Sequence, residues 1–237
     1  MAPPVVYGGC VEEMRKLPDQ SIDLCLTDPP YDAKNILWQS KGKMGGYVDG
    51  MVDGWLDEAR RACKVVAFTP GTKNVFRYPP TDFFLGWFKR QLGNNQTGGS
   101  SSYEPVLVYG ATRATCTGTK RTWRFTNDRI ETTGLPREKA AALQHLIPRT
   151  ADWFVQIIEL MNPRPASLLD PFLGSGACAE ACEQLGIPCL GFEKNEGCRA
   201  DIEKRVAWGR AARAELLRAE QQDRNTIKLD SFLEGTR

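Results

Sequence analysis

At 237 residues, with 41% hydrophobic and 25% charged side chains, the chain has the composition of an ordinary globular protein and room for one large α/β domain or two small ones. Such a chain buries a core without staples, and no apolar run approaches the ~20 residues that span a bilayer, so no membrane partner is expected. The net charge of +2 neither demands nor forbids a polyanionic partner.

Met1-Ala2-Pro3-Pro4 lacks the basic and apolar segments of a secretory signal, and a cytoplasmic protein is expected. Val5-Val6-Tyr7 is a short strand ending at Gly8-Gly9, and Glu12 to Leu17 a short helix closed by Pro18. Ile22 to Thr27 is a buried strand that stops where Pro29 and Pro30 forbid ladder bonds. Residues 32–50 are Gly- and Lys-rich and read as a loop. Trp55 to Ala62 has a helical pattern, and Lys64 to Phe68 is a strand ended by Pro70-Gly71. The aromatic run 81–92 fits strand and helix equally. Asn94 to Ser102 reads as a mobile polar turn between two strands, the second being Val106 to Tyr109.

Residues 111–140 lack clear periodicity. Thr150 to Met161 is a helix stopped by Pro163 and Pro165. Ser167 to Asp170 is a strand, Ala177 to Leu185 a helix capped by Gly186, and Cys189 to Glu193 the next strand. A helix rich in Ala, Glu and Arg runs from about Gly197 into the 210s, and the last dozen residues are expected to be loosely ordered. Strands alternating with helices imply a doubly wound α/β fold, with a mainly parallel sheet and helices on both faces.

Eight cysteines accompany a single histidine, His145, and no cysteine pair has C-x-x-C spacing. Buried thiols in a reducing compartment are the expectation, and no metal site. Charge is uneven along the chain. Between 111 and 139 stand Arg113, Lys120, Arg121, Arg124, Arg129, Arg137 and Lys139 against Asp128, Glu131 and Glu138. That segment suits phosphate contacts, and on charge alone it is equally a solvated loop.

Two motifs carry chemistry. Asp170-Pro171-Phe172-Leu173-Gly174-Ser175-Gly176 joins a strand to a helix. Glycines let the backbone turn sharply and approach a ligand, and the following helix offers unpaired N–H groups at its first turn. Glu193 ends the next strand, 17 residues after Gly176, where a carboxylate can accept both hydroxyls of a ribose. The pattern is not that of a dinucleotide fingerprint. The second motif, Asp28-Pro29-Pro30-Tyr31, sets an acid, a stiffened turn and an aromatic face at the end of a buried strand.

Together and in this order, the tetrad and the Phe-x-Gly-x-Gly loop resemble the S-adenosylmethionine-dependent DNA amino-methyltransferases of bacteria and phages, in the β group where the tetrad precedes the cofactor loop. The likeness spans roughly residues 5–31 and 103–206. It implies a seven-stranded, mainly parallel methyltransferase sheet with one antiparallel strand, in a single catalytic domain with a short target-recognition insertion at about 111–144. It implies S-adenosylmethionine as cofactor and DNA as partner, with monomer and homodimer both open.

By the same resemblance Asp28 and the Pro29 carbonyl accept the hydrogens of an exocyclic amine, freeing its lone pair, while Pro30 stiffens the turn and Tyr31 stacks on the flipped base. Asp170, Phe172, Gly174, Ser175, Gly176 and Glu193 hold the cofactor. The segment His145 to Thr150 is similar to one that usually reads His-Pro-x-x-Lys-Pro; Leu146 and Thr150 replace its prolines and Arg149 its lysine, and the match places Arg149 on the cofactor carboxylate. Gly9 stands where the family has an Asp near the cofactor adenine. Asp in the tetrad favours adenine N6. Cytosine N4, an RNA substrate, and a cofactor-binding subunit that needs a partner are the alternatives. For nucleic acid the candidates are Lys34, Lys41 and Lys43 in the loop after the tetrad, and Lys120, Arg121, Trp123 and Arg124, where an aromatic interleaves with cations.

Overall fold

The computed structural model describes residues 4–30, 54–72, 74–95, 99–110, 124–144 and 148–234. In chain order its elements are β1 (Val5–Tyr7), α1 (Cys10–Arg15), β2 (Ile22–Thr27), α2 (Trp55–Ala62), β3 (Cys63–Phe68), β4 (Phe83–Asn95), β5 (Gly99–Tyr109), β6 (Arg124–Phe125), β7 (Arg129–Thr132), α3 (Arg137–Ala141), α4 (Ala151–Leu160), β8 (Met161–Asn162), β9 (Leu168–Asp170), α5 (Ala177–Leu185), β10 (Cys189–Glu193) and α6 (Arg199–Glu234).

Among the described residues, eight strands make one sheet in the order β1-β10-β9-β2-β3-β5-β4-β7, and β6 pairs with β8 in a small separate ribbon. β5 runs antiparallel to both β3 and β4, and every other neighbouring pair in the sheet is parallel. The single reversed strand agrees with the expectation. The strand count does not: the sheet has eight strands, because Arg129–Thr132 adds to the outer edge of β4, with Gly86 opposite Arg129 and Lys89 opposite Thr132.

All six residues of β2 are buried, as expected of a parallel strand covered on both faces. Alternation along it divides the core. Leu24 and Leu26 join Val65, Ala67 and Leu168 under α4, α5 and the start of α6. Cys25 joins Val66, Phe68 and Leu169 against α1 and α2, through Met14, Trp55 and Ala59, and Ile22, at the start of the strand, packs in the same cluster in spite of the alternation. Helices therefore cover both faces.

The aromatic run left undecided between strand and helix is β4, and pairing with β5 and β7 on its two sides settles it. The polar turn is shorter than expected, since Gly93, Asn94 and Asn95 pair with Ser101, Ser100 and Gly99. Helix α1 starts at Cys10, ahead of Glu12. Helix α6 does not end in the 210s; it continues to Glu234, because Ala211 to Glu234 contains no glycine or proline and is rich in strong helix formers. Among the described residues no helix is long and apolar enough to cross a membrane.

From β9 the chain passes through α5 to β10 on one side, while β2 leads through α2 to β3 on the other. The boundary between β9 and β2 is thus the switch point of the sheet, and ligands of such folds bind outside the carboxyl ends of the strands there.

Candidate active site

Both sequence motifs emerge at that switch point. Leu24 and Cys25 of β2 lie opposite Leu168 and Leu169 of β9, so Thr27 and Asp28 leave the sheet beside Asp170. The Thr27 hydroxyl donates to Asp170 Oδ1 at 2.6 Å, and the Phe172 N–H donates to the same oxygen at 3.0 Å. Asp170 is 1% exposed. Burial pushes its carboxyl up to about 8; those two hydrogen bonds oppose the shift, and the nearby Asp28 charge adds to it. Asp170 is therefore a hydrogen-bond anchor for the turn, with its carboxyl biased by burial toward the neutral form.

The turn needs its glycines. Gly174 and Gly176 have φ of +53° and +88°, and a Cβ on Gly176 would lie 3.0 Å from Ile202 Cα. Ser175 is buried between them. The Gly174 N–H donates to Glu193 Oε2 at 2.7 Å, and the Asn195 N–H donates to Oε1 at 2.8 Å. Glu193 is thereby fixed against the turn with lone pairs to spare. Phe172 meets Trp55, the first residue of α2, edge to face at 5.4 Å, and Trp55 meets Phe68 in the same way at 4.8 Å. Near the end of β1, a Cβ on Gly9 would fall 2.1 Å from Glu12 Oε2, so the Glu12 carboxylate fills the space of the side chain Gly9 lacks.

Asp28 is partly buried, Pro29 buried and Pro30 partly exposed. Arg149 grips Asp28 with both arms of its guanidinium: Nε donates to Oδ2, and Nη2 donates to Oδ1 at 3.0 Å. The same guanidinium lies over the Trp87 ring, 4.8 Å from its centroid. The Arg149 carbonyl accepts from Arg205 Nη2 at 2.6 Å. Arg205 is fully buried and donates from Nη1 to Glu180 Oε2 at 2.8 Å, while Lys139 approaches Glu180 Oε1 at 3.3 Å. Burial holds the Arg205 guanidinium below its usual range, and Glu180 works against that.

Sequence reasoning missed Arg205 and Glu180. The available signal was Arg205 at i+3 and i+4 from Ile202 and Asp201 on one face of α6, both of them buried. Phe76 is 98% exposed beside Arg77 in the loop that leaves the carboxyl end of β3. Tyr31, Lys34, Lys41, Lys43, Lys120, Arg121, Trp123 and His145 lie outside the described residues. Arg124 is in β6, its backbone opposite Asn162 of β8.

The sulfurs of Cys178, Cys182 and Cys189 lie within 4.8 Å of one another, all buried. Cys189 comes from β10, so the spacing along α5 alone did not announce it. Among the described residues these three thiols are one ligand short of a structural zinc site.

The profile of the N6/N4 DNA methylase family matches residues 22–204. Among solved structures, the fold is similar to M1.HpyAVI in complex with SAM, with a TM-score of 0.56 and 15% identity over 86% of this chain and 98% of that one. It is similar to the cytosine-N4-specific PvuII DNA methyltransferase, with a TM-score of 0.57 and 14% identity over 85% of each chain. At such identities the structural likenesses bear on the fold, which they share; the profile match spans both motifs, from β2 to beyond the glycine turn. The chain belongs to the N6/N4 DNA methylase family.

Proposed function

We propose that the chain transfers a methyl group from S-adenosylmethionine to the N6 amine of an adenine flipped out of DNA. The observation that carries this reading is the junction at the switch point. Asp28 and the glycine turn occupy neighbouring strand ends, tied together through Thr27 and Asp170.

The residues present fit the cofactor. Gly174 and Gly176 leave the backbone bare where a ligand approaches, α5 begins at the turn with first-turn N–H groups that lack intrahelical acceptors, and Glu193 stands ready to receive ribose hydroxyls. Glu12 supplies a carboxylate at the place where the resemblance expects one from residue 9. The bound cofactor supplies an electrophilic sulfonium methyl. Asp28 accepts an amine hydrogen, so that the nitrogen pyramidalises and presents its lone pair, and Pro29 is placed to accept the other hydrogen with its carbonyl. Burial biases Asp170 toward its neutral form, which lessens the negative charge beside Asp28. The rate comes from alignment and local electrostatics, and no covalent enzyme intermediate is needed.

The test is mass spectrometry of nucleosides from unmethylated genomic DNA incubated with the protein and isotope-labelled cofactor. Labelled N6-methyladenine supports the proposal. Labelled N4-methylcytosine keeps the mechanism and reverses the base, whereas cofactor binding without DNA label points to RNA or to a missing partner. Asp28→Ala is expected to bind cofactor normally and to lose about 10²- to 10⁴-fold in transfer; unchanged turnover removes Asp28 from the mechanism.

A further inference from the structure

The geometry points to Arg149 as a positioning residue for Asp28, a fork that fixes the plane and the place of the carboxylate that meets the target amine. This rests on the function proposed above. It departs from the resemblance, which assigns Arg149 to the cofactor.

Three observations converge on it. First, the contact is bidentate: Nε and Nη2 engage the two Asp28 oxygens separately, which fixes the plane of the carboxylate as well as its place. A lone Asp at the mouth of a proline turn can rotate about its side-chain bonds, and one held by a planar fork is restrained.

Second, the fork is itself held from its flank. The guanidinium lies on Trp87. That indole is set in place by a hydrogen bond from its Nε1 to Thr132 Oγ1 at 2.8 Å and by Trp153, 5.6 Å away. Third, the backbone of Arg149 is anchored from below by Arg205, which has no exposed surface and is paired with Glu180 of α5. Breaking a buried ion pair leaves an uncompensated charge, so the anchor resists movement. The same α5 begins at the glycine turn. Cofactor loop and catalytic acid are thus referenced to one rigid frame, with Arg149 as the link.

The two assignments for Arg149 forecast opposite kinetics. A cofactor ligand, when removed, raises KM for the cofactor; a residue that orients Asp28 lowers turnover at saturating cofactor. Full-length wild type, Arg149→Met and Arg149→Lys should be compared by cofactor binding at equilibrium and by methyl transfer to unmethylated genomic DNA at saturating cofactor. Thermal unfolding identifies the folded variants, and Arg149→Lys decides if Arg149→Met does not fold.

The expected result is a loss of about 10²-fold or more in turnover for both variants, with cofactor affinity within about threefold of wild type. Lysine keeps the charge and still fails, because one ammonium cannot span both oxygens. A tenfold or greater loss of cofactor affinity in both variants overturns the inference, as does turnover that stays at the wild-type level. A wild type that transfers no methyl group sinks the proposed function instead. The inference is then read from the carbon-13 signal of the Asp28 carboxyl, which moves in Arg149→Met if the fork holds it and overturns the inference if it stays.

Discussion

Asp170 shows how much one buried side chain decides at this site. Its carboxyl has an ordinary value of 3.8 and is pushed to about 8, mainly by burial. Below about pH 4 the folded and unfolded chains both hold this proton, and ionisation costs the fold nothing. Between there and about 8 the folded protein keeps a proton that the unfolded chain releases, so stability falls as pH rises, by up to about 1.4 kcal/mol per unit, and levels off above. Asp170→Asn cannot ionise and is expected to flatten that decline. Urea unfolding of both proteins from pH 5 to pH 9 checks this, and parallel curves would mean that Asp170 is already charged in the fold. Asp28, Asp170 and Glu193 were legible in the sequence because each ends a strand marked off by proline or glycine. The partner of Asp28 was not, since Arg149 stands 121 residues away and the pairing exists only once the sheet brings β2 beside the start of α4. Arg205 was hidden for another reason: it sits in a helix already crowded with charge, where only its place on the apolar face distinguishes it.

Among the elements, the crossing of α5 and α6 positions the site from behind. A Cβ on Gly209 would lie 2.3 Å from the Glu180 carbonyl oxygen and 2.9 Å from Glu183 Cβ, so the two helices touch backbone to side there. Arg210 closes the rim by pairing with both oxygens of Glu183 at 3.1 Å. In a solvated helix a glycine-to-alanine change gains up to about 1 kcal/mol. Gly209→Ala is expected to lose about 1–3 kcal/mol instead, because backbone cannot yield as a flexible side chain does. Denaturant unfolding measures it, and a stabilised variant would mean that the helices part without cost. The boundaries of β2, α2, α5 and β10 were readable because short apolar or amphipathic runs meet glycine, proline or a change of period at both ends. β4 was not, because apolar residues fill both of its faces near Phe83 and erase the period that separates strand from helix. β7 alternates exposed and buried over only four residues, too few to stand out without the strand it joins.

For the molecule as a whole, chain order and sheet order together place the chemistry. The tetrad comes early and the glycine turn late, yet β2 and β9 are neighbours, and the two-sided winding around them opens a crevice at their carboxyl ends. What holds that crevice is the core on both faces of the sheet, and among the described side chains of α6 only the first part contributes to it. Asp201, Ile202, Arg205 and Val206 are buried, and Arg213 still reaches Gly186 at the end of α5. From Glu215 to Arg224 every side chain is exposed, with Leu216 and Leu217 at 49% and 54%. Side chains left in water hold little of a fold together, so the stretch from Glu215 to Arg224 adds little to the stability of the sheet. Leu216→Ala combined with Leu217→Ala is therefore expected to unfold within about 1 kcal/mol of the wild type and to bind cofactor equally well. Denaturant unfolding and equilibrium binding of the two proteins decide it. A larger loss of stability would assign this stretch a place in the core, and a loss of cofactor affinity alone would assign it one in the crevice.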